Sequence, residues 1–148
     1  MRSQSLEIAR RELKEKDLSL VIVKDEKVIF KSSLQGLLGL IRAIDSLGDL
    51  IFSSSVADKI VGRAAALLLA YFQAEEVYAV TISERGLNTL IKYNVRVEYD
   101  RLVPEIMNKQ GTNMCPFEKL SLTVQSPSEA YIKIKRYLES IKTDVADQ

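Results

Sequence analysis

The chain has 148 residues, 47% hydrophobic and 28% charged, with a formal net charge of +1, the size of one domain with a sizeable core and no electrostatic pull toward nucleic acid or membrane. Histidine is absent and cysteine occurs once, which excludes His-based acid–base catalysis, Ser-His-Asp triads, an internal disulfide and zinc sites built from His and Cys. No cofactor and no metal is expected.

Ser5 to Glu15 sets Leu6, Ala9 and Leu13 among Arg10, Arg11 and Lys14, the spacing of a surface helix with a basic outer face. Leu18 to Val23 is short, apolar and β-branched and predicts a buried strand. The polar break Lys24-Asp25-Glu26-Lys27 followed by Val28-Ile29-Phe30 predicts an antiparallel partner. Leu34, Leu37, Leu38, Ile41, Ile44 and Leu47 recur at helical spacing, with Gly48 placed to end the helix and Gly36 and Gly39 weakening it.

The stretch SSSVADKIVGRAAALLLAYF, Ser53 to Phe72, predicts a helix starting near Val56. Ser55 and Asp58 have the spacing of a capping box, and from Ala64 onward the helix is apolar all round, so it must cross the interior. Its charged mouth, Asp58, Lys59, Gly62 and Arg63, lies where free N–H groups and the macrodipole favour an anion. The longest apolar run, Ala64 to Phe72, is too short to span a bilayer. With no apolar leader after Met1 and a lone cysteine, the expected location is cytoplasmic.

Val77 to Ile82 predicts a buried strand, Glu84 to Tyr93 a helix and Val95 to Tyr99 a strand, which together imply a parallel crossover. Pro104 and Asn108 to Asn113 interrupt regular structure, and Pro116 with Glu118 and Lys119 predicts the first turn of a helix. Leu120 to Val124 fits either helix or edge strand. Ser126-Pro127-Ser128-Glu129 signals the last helix start, with Ala130, Ile134, Tyr137, Leu138 and Ile141 directed at the core, and the tail 143–148 is expected to fray. The elements add up to one α/β domain spanning residues 1–148, with helices on both faces of a mixed sheet opening with an antiparallel hairpin.

The segments SVADKIVGRAAALLL, VYAVTIS, ISERGLNTLIKYNVRVEYDRLVP and GTNMCPFEK resemble a family of small prokaryotic proteins of unknown function with a cytidine-deaminase-like fold that lack the zinc ligands. The resemblance runs from the first strand to the last helix. It implies a three-layer α/β/α sandwich in which the helix from Val56 takes the place of the deaminase helix bearing a His-or-Cys, x, Glu motif. That place holds Ala57, Asp58 and Lys59, and the place of the Pro-Cys-x-x-Cys pair holds Ser83-Glu84-Arg85-Gly86. Zinc-dependent deamination is thereby excluded.

The preferred expectation is a small anionic or nucleotide-like ligand held at helix N-termini by Ser55, Asp58, Lys59, Gly62, Arg63, Ser83, Glu84, Asn108, Gly111, Thr112, Met114, Cys115, Glu118 and Lys119. A second reading makes Cys115 a nucleophilic or redox thiol, its pKa lowered by a helix start and by Lys59 or Lys119, with Asp58 orienting the substrate. A third makes the chain a non-catalytic structural or protein-interaction module. A homodimer is compatible with each.

Overall fold

The computed structural model describes residues 3–146, with side chains through residue 141. Helix α1 (Gln4–Glu15) starts where the Ser3 hydroxyl accepts the Leu6 N–H, and its three- and four-residue spacing buries Leu6, Ala9 and Leu13. Strands β1 (Leu20–Lys24) and β2 (Lys27–Ser32) form the expected antiparallel hairpin. Its turn residues, Asp25 and Glu26, adopt φ of 52° and 66°, the left-handed pair that matches the twist of a two-residue hairpin loop. Helix α2 (Leu38–Leu47) ends at Gly48, where φ is 54°, and a 3-10 turn follows to Ile51.

The structure departs from the sequence reading at the chain's midpoint. Ser55–Val61 is a strand, β3, and helix α3 (Arg63–Tyr71) begins only after Gly62. Ser55 and Asp58 therefore form no capping box, and Ala57, Asp58 and Lys59 do not stand at a helix start. β3 pairs antiparallel with β1 and parallel with β4 (Glu76–Ser83), so its backbone groups are satisfied from two sides, and Val56, Ile60 and Val61 favour the extended form. A local Ser-x-x-Asp bond cannot match that. The second half of the stretch behaves as expected: Ala64 to Leu69 are all buried.

Helix α4 (Glu84–Lys92) and strand β5 (Arg96–Val103) complete the expected crossover, with β5 parallel to β4. The sheet order is β2-β1-β3-β4-β5, and α3 makes a second parallel connection. On one face α1 covers β1, β3 and part of β4, packing against Val21, Val23, Ala57 and Tyr78. The opposite face carries the larger core beneath residues of α2, α3, α4 and α6 (Pro127–Ala146). The result is a three-layer α/β/α sandwich around a mixed sheet.

Helix α5 (Pro116–Ser121) has proline at its first turn as expected. Leu120 and Ser121 continue the helix as its last residues, and the chain then turns at Leu122 and Thr123, so the segment forms no edge strand. At α6 the Ser126 hydroxyl accepts the Glu129 N–H and the Glu129 carboxylate accepts the Gln125 N–H. Ala130 and Ile134 are buried and Leu138 packs on the core, whereas Ile141 is 39% exposed. The backbone of α6 is helical to Ala146; residues 147 and 148, the end of the expected tail, lie outside the described ones.

Candidate functional site

Helices α3 and α4 both start at the C-terminal ends of the parallel strands β3 and β4, the end of an open sheet where N-terminal dipoles converge. The start of α3 already holds an anion. The carboxylate of Glu118, carried on α5 and only 5% exposed, accepts the N–H of Arg63 at 2.9 Å and of Ala64 at 3.0 Å. Two otherwise unmatched helix N–H groups and the local dipole hold this buried charge.

Gly62 makes the contact possible. Its backbone is extended, so no special φ is at issue; a Cβ there would lie 2.2 Å from the Glu118 Oε1. Arg63 completes a reciprocal arrangement, its guanidinium donating to the carbonyls of Ser121 and, at 3.2 Å, of Val124, past the C-terminus of α5. So α5 supplies the carboxylate for α3, and α3 supplies the cation for α5. The ring of Phe117 lies close to Gly36, just before α2, and meets Tyr137 of α6 edge to face.

The remaining candidates divide. Ser83 caps α4 by accepting the Gly86 N–H at 3.0 Å, and Glu84 is exposed in the first turn. Gly86 permits α4 to approach β3, because a Cβ would lie 2.8 Å from the Val61 carbonyl oxygen. Asn108 organises its own loop, its side-chain oxygen accepting the Thr112 N–H at 3.1 Å, with Gly111 at φ 72°. Met114 bridges to Met107, the Cys115 N–H donates to the Ile106 carbonyl, and Lys119 is exposed. Cys115 is half-buried as the N-cap of α5.

Three of the named residues lie away from the α3 start. Ser55 is at the far end of β3, donating to Glu76 at 2.5 Å. Lys59 is exposed and sits 3.6 Å from Asp17. Asp58 is in the middle of the sheet, paired with Leu20 on one side and Ala79 on the other, and 8% exposed. Burial pushes its carboxyl up to about 7, against the downward pull of the nearby N–H groups of Ile60 and Lys59. Among the described residues no group of three or more Cys, Asp or Glu is arranged to hold a metal ion, and no helix is long and apolar enough to cross a membrane.

Two polar clusters escaped the sequence reading because their members are distant in the chain. Tyr78, buried under α1, donates its hydroxyl to Asp100, which also pairs with Lys14 at 3.0 Å, while Arg10 and Lys14 lie over the Tyr78 ring. The Tyr78 hydroxyl, and then Lys14, hold the Asp100 carboxyl below its usual range. At the other end of the sheet Glu76, 5% exposed, receives the hydroxyls of Ser3 and Ser55.

Residues 8–138 match the family model described as "TM1506: Domain of unknown function (DUF1893)". A crystal structure of a DUF1893 family protein (TM1506) from Thermotoga maritima is 30% identical, with a TM-score of 0.81 over 93% of this chain and 92% of that one. Partial likenesses extend to RibD of Acinetobacter baumannii, with 20% identity and a TM-score of 0.46 over 66% of this chain and 33% of that one. A Thermotoga maritima diaminohydroxyphosphoribosylaminopyrimidine deaminase/5-amino-6-(5-phosphoribosylamino)uracil reductase shows 13% identity and a TM-score of 0.47 over 81% and 39%. No match was found among the curated proteins. With 131 of its residues inside one family model and a full-length structural relative, the chain belongs to the DUF1893 family, whose domain is of unknown function.

Proposed function

We propose that this protein binds a small anionic, nucleotide-like molecule in the cytoplasm, without zinc, at the start of α3, and that the acidic group of the ligand takes the place of the Glu118 carboxylate. One observation carries the reading: a carboxylate is bound there, by the N–H groups of Arg63 and Ala64, in a notch left by Gly62. The same geometry suits a phosphate or carboxylate oxygen brought by a ligand. The absence of histidine and the single cysteine support a site that works without zinc.

In this proposal the ligand-facing groups are the backbone at Gly62 to Ala64, the Arg63 side chain released when α5 moves, and the exposed Lys119. Cys115 lies one helical turn before Glu118 and reaches the ligand only after that movement. The reading of Cys115 as a nucleophile has weaker support, because Lys59, one of its supposed activators, is beside Asp17.

The test is a thermal-shift screen of inorganic phosphate, pyrophosphate and nucleoside mono-, di- and triphosphates, followed by amide NMR of any ligand that raises the melting temperature. Shifts centred on the Arg63 and Ala64 amides support the proposal. Failure of every anion to stabilise the fold, or shifts confined to another surface, would refute it and leave Glu118 as a structural cap.

A further inference from the structure

The end of the sheet away from α3 carries a cavity of about 350 Å³ between the start of α1, the β1–β2 turn and the first residues of β3, β4 and β5. Its volume is that of a small-molecule site at the lower end of the usual range. Glu76 lines it, a carboxylate that begins the strand between β3 and β5 and is buried to 95%. One of its oxygens is well satisfied, accepting the hydroxyls of Ser3 and Ser55. Among the described residues the other, Oε1, receives the Arg96 guanidinium at 3.4 Å, and Arg96 is 65% exposed and divided between Glu76 and Glu75 at 3.5 Å. Contacts at that distance from a solvated side chain are weak. Among the described residues, this oxygen of a buried carboxylate beside an open cavity thus has a weak donor and no strong one.

The walls carry charges of both signs. Glu75 stands beside Glu76, and Lys24 and Asp25 face in from the hairpin. We infer that this cavity is a binding site for a free α-amino acid: its ammonium group donates to Glu76 Oε1 and Glu75, and its carboxylate is received by Arg96 and Lys24. This site is independent of the one at α3.

Isothermal titration of the full chain with each of the twenty amino acids tests the inference, with two half-ligands as controls: the amine lacking the carboxylate and the acid lacking the amine. The expected result is saturable binding of one or a few amino acids, at least tenfold weaker for either half. Arg96→Ala, at an exposed position, should weaken binding at least tenfold while the ligand-free melting temperature stays near wild type, and Glu76→Gln should do the same wherever it folds. Amino-acid binding that is unaffected by Arg96→Ala, equal affinity for a half-ligand, or no binding of any amino acid to the wild-type chain would each overturn it.

Discussion

Gly62 and Glu118 are two halves of one contact, 56 positions apart, and neither substitution can be understood alone. A methyl group at Gly62 would overlap the Glu118 carboxylate at 2.2 Å, so Gly62→Ala must expel that side chain and leave the N–H groups of Arg63 and Ala64 without it. Two hydrogen bonds to a charge are lost, and the expected destabilisation is about 2–4 kcal/mol by urea denaturation. Glu118→Ala should cost a similar amount. Because both remove the same interaction, the double variant should be no less stable than the worse single one to within about 0.5 kcal/mol. Additive losses would show that Gly62 serves some other contact.

Asp58 gives the second residue-scale prediction. Its folded pKa, about 7, lies above the ordinary value of 3.8, so between those values the folded state holds a proton that the unfolded state has lost. Stability from this group is therefore fully present below about pH 4 and declines as pH rises toward 7, by up to about 1.4 kcal/mol per unit. Asp58→Asn removes the titration. Relative to wild type the variant should gain stability between pH 4 and 7, reaching a difference on the order of 4 kcal/mol at pH 8; parallel stability curves for the two proteins would contradict this. The helix-cap reading of Asp58 implied the opposite, a loss on replacement, because it placed on a helix surface a side chain that lies in a central strand.

Among the elements, α5 is tied to α3 at two points, through Glu118 at its middle and through Arg63 at and beyond its C-terminus. Replacing Arg63 with Met should free the carbonyls of Ser121 and Val124. Hydrogen exchange in residues 116–124 should then accelerate while α3, whose residues 64–69 are all buried, keeps its protection. Equal acceleration in both helices would mean that Arg63 supports the core rather than α5. The start of α5 was legible in the sequence because proline at the first helical turn is a local signal. Its partner was not, since nothing local ties Glu118 to a glycine so far upstream. The same difference explains β3 and α3. The all-round apolar run of α3 is visible in a nine-residue window, but the strand before it is set by pairing with β1 and β4, and Ser-x-x-Asp offered a local alternative that pairing overrode.

At the scale of the molecule, the hairpin, the last crossover and the helix-covered mixed sheet follow from periodicity and turn chemistry, and they fix which end of the sheet gathers helix starts. What periodicity could not reveal is that this end is filled by the chain's own carboxylate, so that any external anion meets a competitor. The most direct measurement is the affinity of inorganic pyrophosphate for the wild-type chain and for Glu118→Gln, by isothermal titration at one pH and ionic strength. Glutamine keeps the size of the side chain and removes its charge. If an anion is to replace Glu118 at the start of α3, the variant should bind pyrophosphate at least tenfold more tightly than the wild type. Equal or weaker binding by the variant would contradict the proposed site.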